Sequence, residues 1–486
     1  MKPILLNDLL TSCGYQPVFG LVRGVRVRRI TDDSRQVVPG SLFVAVKGEK
    51  EDGHRYCLKA LKAGAAAVLV DRPVPGLKAA AVVRVADTRR ALGCLAAAFY
   101  GHPDRKLACV GVTGTNGKTT TAFLIRSVFA AAGRRCGLLG TIGYDAGAGL
   151  VPMKNTTPGV VELYGVLDGM VRAGCSHAVM EVSSHALEQG RLGGLAFRDA
   201  VFTNLTREHL DYHKTMARYF AAKKKLFNEH LAPGAWRVVN RDDAYGARLG
   251  RQGKGRLLTY GLSPRADVRA RLRRQTWAGS HLDVVTPRGA MQVMTPLVGR
   301  HNVYNVLAAL AVGVAEGLKN DVLRRGVHGC AAVPGRLERV ENDRGIHVFV
   351  DYAHTDDALK NVLESLRRIP HNGSIITVFG CGGERDRGKR PRMGRAATRL
   401  SDYAVVTSDN PRSEDPEAII REILGGVVGT RWEVVVDRRR AIGRALARAR
   451  RGDVVLIAGK GHEACQFIGN AVIPFDDRRT AREFLA

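Results

Sequence analysis

Short apolar runs rich in β-branched residues alternate along this chain with stretches whose apolar positions recur at helical spacing. That alternation predicts parallel α/β sheets. In the first hundred residues, Ser41 to Val46, Ala66 to Val70 and Ala81 to Val85 read as strands, and Thr88 to Phe99 reads as a helix. Gly101-His102-Pro103 then breaks the pattern. A second block opens with a strand from Leu107 to Thr113, a Gly-rich loop, and a helix from about Lys118 to Ala132 ended by Gly133. Strands at Ala178 to Val182 and Ala200 to Thr203 follow, and a helix from about Val303 to Gly317 closes the block. The third block starts near Pro334-Gly335, with strands at Ile346 to Val350, Ile375 to Phe379, Ala404 to Thr407 and Val454 to Ala458. The expected fold is therefore α/β with three domains. Residues 1–103 form a smaller α/β domain, 104–333 a central P-loop-type parallel-sheet domain, and 334–486 a Rossmann-like domain.

Each strand of the third block runs into a polar or Gly-rich segment: Asp351-Tyr352-Ala353-His354, Gly380 to Arg390, Asp409-Asn410-Pro411-Arg412 and Gly459-Lys460-Gly461-His462-Glu463. Ligands of open parallel sheets sit beyond the carboxyl ends of the strands, so these segments predict one ligand-facing edge.

Composition narrows the class. Apolar residues make up 45% of the 486 and charged residues 25%, which fits a globular chain and not a disordered one. No apolar run is long enough to span a bilayer, and the first residues are too short and too polar for a signal peptide, so neither membrane insertion nor secretion is expected. Lys plus Arg is 75 against 46 for Asp plus Glu, a net charge of +29 that favours anionic partners. The clusters Arg265, Arg269, Arg271, Arg273, Arg274 and Arg438 to Arg440, Arg444, Arg448, Arg450, Arg451 lack interleaved aromatics. They read as solvated basic faces, and no nucleic-acid partner is expected. The nine cysteines include no CxxC, so a disulfide framework or zinc site is not expected, a reducing cytoplasm fits, and each reads as a small buried hydrophobe.

The strongest local signal is Val110-Gly111-Val112-Thr113-Gly114-Thr115-Asn116-Gly117-Lys118-Thr119-Thr120. Glycines let backbone N–H groups close around phosphate oxygens at a helix start, Lys118 can reach the β/γ-phosphates and Thr119 can hold Mg²⁺. The strict GxxxxGK[ST] pattern is not met, because its first Gly falls on Val112. Glu181 and the segment Thr203 to Asp211 follow later strands of the same block and would converge on the loop in a doubly wound sheet.

Taken together, Gly114 to Thr120, Asn155-Thr156-Thr157-Pro158, Met180 to His185, His209-Leu210-Asp211-Tyr212-His213 and Asp351 to Thr355 resemble the motifs of the Mur ligase family, in order and across the chain. The family consists of ATP-dependent amide ligases of peptidoglycan precursor synthesis. The resemblance implies ATP as co-substrate, Mg²⁺ as cofactor, and a monomer in the cytoplasm. Asp409-Asn410-Pro411-Arg412 and Gly459 to Glu463 resemble the version that adds meso-diaminopimelate to UDP-N-acetylmuramoyl-L-Ala-D-Glu. A lysine-adding or folyl-polyglutamate-type sister and a basic nucleic-acid-binding ATPase stay as alternatives.

Carried onto this chain, Gly114, Thr115, Asn116, Gly117, Lys118, Thr119, Thr120, Asn302, Arg336 and Asp351 are expected at ATP. Thr119, Glu181 and His209 are expected at the metal, and Lys118, Glu181, His209 and Lys223 in catalysis. Lys223 is the match to a lysine carbamylated in relatives (N6-carboxylysine), selected by the Tyr219-x-x-Ala222-Lys223 spacing. Ser34, Asn155, Thr156, Thr157, Ser183, Gln189, Arg191 and the loop Glu49-Lys50-Glu51 are expected at the nucleotide-dipeptide. Arg385, Asp409, Asn410, Pro411, Arg412, Gly459 and Glu463 are expected at diaminopimelate, where Arg412 can grip a carboxylate in a bidentate fork and Glu463 an ammonium.

Overall fold

The computed structural model describes residues 2–16, 24–49, 51–77, 81–253 and 255–486. Near the N-terminus lies a four-stranded parallel sheet, in the order Arg29–Thr31, Ser41–Val44, Ala65–Val70, Val82–Arg84. Ser41–Val44 is buried at every position, so its sequence shows no alternation. The helix Thr88–Phe99 starts where the Asp87 side chain accepts from the Arg89 and Arg90 amides. It meets the next block at Gly93, where an added Cβ would stand 2.7 Å from the Cα of Gly193. Both positions need glycine for the backbones to touch.

The second sheet has eleven strands. Its parallel centre carries Ala108–Thr113 between His177–Glu181 and Phe197–Phe202. Helices Lys118–Ala131 and Arg300–Ala315 pack beside it, with Ala122, Ile125, Phe129, Val306, Leu307 and Leu310 in one apolar cluster. The third sheet places Val454–Ala458 between His347–Asp351 and Ile375–Phe379, all parallel. Its four anticipated strands end side by side, as an open parallel sheet requires.

Three features depart from the sequence reading. The strand Val268–Thr276 joins the central sheet parallel to its inner neighbour, and Gly279–Thr286 and Gly289–Thr295 continue it antiparallel to the edge. In the first of them Val268, Ala270 and Leu272 alternate with Arg269, Arg271 and Arg273, a strand period inside the arginine cluster that read only as a basic face. The cluster at Arg438 is not wholly a solvated face. Arg438 is 1% exposed, holds Asp477 at 2.7 Å and donates to the Ala458 carbonyl at 3.0 Å. Buried charge of this kind needs a partner, and Asp477 at the start of the last helix supplies it. All nine cysteines are free, but Cys13, Cys94 and Cys465 are partly exposed and not buried as expected. Among the described residues no helix is long and apolar enough to cross a membrane.

Asp199 makes a stability prediction. Its side chain is fully buried and neither oxygen has a hydrogen-bond partner among the described residues. Burial, and then the Glu316 carboxylate, push its pKa well above the usual carboxylate range. Stability from such a group is complete below the unfolded-state value near 4 and is lost as pH rises through the folded value. Asp199→Asn is therefore expected to raise Tm at pH 8 by roughly 5 °C, with a smaller gain at pH 5, in melting curves of both proteins.

Candidate active site

The phosphate loop is shaped by glycines and braced from behind. Gly114 has φ +148° and Gly117 φ +84°. A Cβ on Gly114 would stand 1.9 Å from Thr203 Oγ1, and one on Gly117 2.3 Å from Asn305 Oδ1. The Thr115 amide donates to the Asn204 carbonyl at 2.9 Å and the Asn116 amide to Asn204 Oδ1 at 2.9 Å. Thr119 and Thr120 open the following helix, both buried.

Two lysines converge on this loop. Lys118 Nζ donates to the carbonyls of Gly114 at 3.0 Å and Thr115 at 2.7 Å. Lys223 Nζ, 1% exposed, donates to the same Gly114 carbonyl at 2.8 Å. Lys223 lies 4.6 Å from the ring centre of Tyr219, one helical turn before it. Burial pulls both amines below their ordinary pKa, and for Lys223 the Lys118 charge adds to the shift. Glu208 opposes both shifts. It also stands 3.6 Å from His209 and 3.8 Å from His354. Its place among these groups was not read from sequence, although it lies inside the quoted Thr203 to Asp211 segment.

Glu181 ends its strand 2% exposed. Its Oε1 accepts from the Thr141 amide at 2.8 Å and Oε2 from the Thr141 hydroxyl at 3.0 Å. Thr141 also pairs with Thr156 at 3.1 Å, and Thr157 Oγ1 donates to the Glu181 carbonyl at 2.9 Å while accepting from the Ser183 amide at 3.0 Å. Thr156, Thr157, Ser183 and Glu181 are thus one connected unit. His209, in the left-handed region at φ +55°, packs against His185 with ring centres 4.8 Å apart. Burial and then His185 bring the His209 pKa down to about 3, so its ring is neutral at pH 7.

Arg191 donates to Gln189 Oε1 at 2.8 Å and to the Thr157 carbonyl at 3.1 Å. Gln189 donates to Glu49 Oε1 at 3.2 Å, and Tyr212 also donates to Glu49, so the Glu49 loop reaches the central block. Lys50 lies outside the described residues. A cavity of about 760 Å³ opens here, lined by Ser34, Arg35, Arg89, Gln189 and Arg191 among others. Asn155 is exposed and joins no side-chain hydrogen bond recorded among the described residues.

From the third block, Arg336 reaches across and donates to Thr119 Oγ1 at 3.2 Å, its guanidinium 4.7 Å from the Tyr352 ring centre. Asp357 Oδ2 accepts from Asn116 at 3.2 Å and from Thr206 at 3.1 Å. The third block therefore closes over the phosphate loop. Asp351 is committed to backbone: it accepts from the Leu337 amide at 2.6 Å and the Ala353 amide at 2.8 Å, and so pins the connecting turn to the strand end. Asn302 is likewise internal, donating to the Val298 carbonyl at 2.7 Å and accepting from Asn305 at 2.9 Å. It supports the loop through Asn305.

At the carboxyl edge of the third sheet, Asn410 Nδ2 donates to Glu463 Oε2 at 2.7 Å. The fully buried Lys460 contacts Asn410 Oδ1 at 3.0 Å and Glu463 Oε2 at 3.1 Å. Arg412, at φ +55°, has its amide on the Phe467 carbonyl at 3.0 Å and its guanidinium on the Gly383 carbonyl. Gly459 sits against Asp409, 2.4 Å from Oδ2 to a built Cβ. Pro411 is buried, and its carbonyl blocks a Cβ at Gly383. Arg385 is exposed beside Gly382 on the neighbouring loop. His462 lies 5.1 Å, ring to ring, from Tyr352, which joins this edge to the Arg336 side of the phosphate loop. Lys460, like Glu208, was a residue of a quoted motif whose contacts only folding reveals.

Comparison with known proteins agrees with this arrangement. Three family models match in chain order: Mur ligase family, catalytic domain over residues 26–100, Mur ligase middle domain over 112–313, and Mur ligase, glutamate ligase domain over 335–461. A UDP-N-acetylmuramoyl-L-alanyl-D-glutamate–2,6-diaminopimelate ligase of Geobacter metallireducens is 49% identical, over 92% of this chain and 91% of its own. One of Solibacter usitatus carrying the same name is 46% identical, over 99% and 98%. A solved structure with that name superposes at a TM-score of 0.71, with 33% identity over 100% of this chain and 99% of the other. With three matched regions in order and such identity over nearly its full length, the chain belongs to the Mur ligase family.

Proposed function

We propose that this chain joins meso-diaminopimelate to the D-glutamyl γ-carboxylate of UDP-N-acetylmuramoyl-L-Ala-D-Glu at the cost of ATP, in the cytoplasm. The observation that carries this reading is the sheet edge where Arg412, Asn410 and Glu463 stand together, joined through His462 and Tyr352 to the phosphate loop. A cation and an anion at one edge suit the amino-acid end of a diamino diacid. The relatives that match nearly the whole chain carry the corresponding name. The three sheets support division near residues 103 and 333.

Amide formation from a free carboxylate is uphill in water. In this reading the γ-carboxylate oxygen attacks the γ-phosphorus of ATP, the bond to the β-phosphate oxygen breaks, and ADP leaves. The deprotonated amine then attacks the acyl carbon, and phosphate departs with the C–O electron pair. No protein nucleophile is needed. Lys118 and the amides at the start of its helix hold phosphate, and Arg336 brings positive charge from the third block. The cavity beside Ser34 and Arg191 takes the nucleotide end. Closure of the third block over the loop brings amine and acyl group together.

Mg²⁺ would take oxygen from Thr119 and Glu181 and a neutral ring from His209, and it would replace the bonds that Arg336 makes to Thr119 and Thr141 to Glu181. Bound there with ATP, the ion would offset charge on the phosphates. Lys223 is buried, and burial together with the neighbouring Lys118 charge lowers the pKa of its amine, which favours the unprotonated form. That is the form that adds carbon dioxide, so a carbamate at Lys223 would replace a second cation beside Lys118 with an anionic oxygen group.

The test is phosphate release from ATP with the nucleotide-dipeptide present and meso-diaminopimelate, L-lysine or no amino acid added. Release requiring both the nucleotide-dipeptide and meso-diaminopimelate is expected. Release with lysine instead would keep the ligase and overturn the reading of Arg412. Release indifferent to the nucleotide-dipeptide would sink the proposal.

A further inference from the structure

The proposed amino-acid edge rests on two loops with little secondary structure, residues 380–389 and 407–415. Their hold on each other is specific. The Gly383 amide donates to the Asn410 carbonyl at 2.9 Å, and Arg412 donates to the Gly383 carbonyl. A Cβ on Gly383 would stand 1.9 Å from the Pro411 carbonyl oxygen, so the backbones are in contact. Glu384 and Arg412 face each other's loops in left-handed conformations, at φ +54° and +55°. Such conformations in non-glycine residues persist only where surroundings over-determine them.

Arg412 is held there by Phe467 and Gly469, and Glu384 is held through Glu414 by Arg390, whose side chain is fully buried. Its two terminal nitrogens grip Glu414 in a fork, 2.9 Å to each oxygen, and one of them also meets Glu422 at 2.9 Å. The same Glu414 carboxylate accepts from the Glu384 amide at 2.5 Å. One ion pair therefore joins the end of the first loop, through Arg390, to the end of the second, through Glu414, and returns to the strained residue of the first. Arg390 is buried while Glu414 is partly exposed, and desolvation of the arginine offsets much of the attraction, so the pair is a poor source of net stability. Its planar, bidentate geometry fixes orientation instead.

We infer that Arg390 and Glu414 are positioning residues for amino-acid selection: their ion pair sets the two loops in register so that the guanidinium of Arg412 is aimed at the carboxylate of the incoming amino acid. The inference rests on the proposal that Arg412 receives that carboxylate. Neither Arg390 nor Glu414 touches the substrate in this scheme, and both act through Arg412.

The experiment compares wild type with Arg390→Lys, Glu414→Gln, Arg412→Ala and the double variant Arg390→Lys/Arg412→Ala. Each is assayed for KM of meso-diaminopimelate, ATP and the nucleotide-dipeptide, and for kcat, with Tm measured alongside. Arg390→Lys and Glu414→Gln are expected to raise the KM for meso-diaminopimelate roughly tenfold, with the other two KM values within about twofold of wild type. Adding Arg390→Lys to Arg412→Ala is expected to change that KM by less than about twofold, because the two act on one interaction. Glu414 is partly exposed, so its variant keeps the test open if Arg390→Lys fails to fold. A fall in kcat with unchanged KM, a joint rise of all three KM values, or effects that multiply in the double variant would overturn the inference and leave a structural role. If Arg412→Ala itself leaves the KM for meso-diaminopimelate unchanged, the parent reading fails, and the inference with it.

Discussion

Lys118→Met is expected to lower kcat by roughly 10³-fold while leaving Tm within a few degrees of wild type. Among the described residues Lys118 Nζ bonds only to carbonyls of its own loop, those of Gly114 and Thr115. The loop does not depend on it for shape, since Thr203, Asn204 and Asn305 brace the backbone from behind. Burial and the nearby Arg336 disfavour its charge in the absence of a phosphate, and only Glu208 and Glu181 favour it. A polyphosphate held by the loop would add an anion beside the Lys118 amine and favour its charged form. The variant keeps the length of the side chain and loses the charge where it develops on the transferred phosphoryl group. Steady-state phosphate release and a melting curve check both halves, and a kcat within tenfold of wild type would remove Lys118 from the phosphate-binding role.

Arg412→Ala is expected to raise the KM for meso-diaminopimelate by roughly 10- to 100-fold, the loss of a charge-assisted bidentate contact, with the KM for ATP unchanged. The site carries a second effect that must be separated. Arg412 is in the left-handed region, tied there by its amide on Phe467 and its carbonyl on the Gly469 amide. Alanine at that φ is strained and glycine is not. Arg412→Gly removes the same guanidinium without the strain. Equal KM rises in the two variants assign the effect to the charge, and a rise confined to alanine assigns it to the backbone.

Positions whose role depends on near neighbours in sequence were legible before folding. The loop Gly114 to Thr120 was recognised because strand, glycines, lysine and helix start are consecutive, and the structure places all of them around one concave turn. The strands of the third sheet were legible because each is buried over nearly all its length and reads as a short, mainly apolar run. The strand Val268–Thr276 carries a period of two, Val268, Ala270 and Leu272 against Arg269, Arg271 and Arg273, and was passed over because its arginines read as one basic face. Arg438 read as one more surface charge because its partner Asp477 lies far along the chain.

The sequence by itself determined the succession of strands and helices, the phosphate loop and the polar segments at the strand ends, since backbone conformation and one-sided burial are set over a few residues. Only the tertiary structure decided which charges are paired. It put Lys223 beside Lys118, Glu208 between two histidines, Arg336 on Thr119 and Arg390 under Glu414. It also showed that Asp351 and Asn302 spend their polar atoms on the scaffold. The reason is range: a charge is worth little in water and much when buried, and burial is fixed by residues brought together from distant parts of the chain.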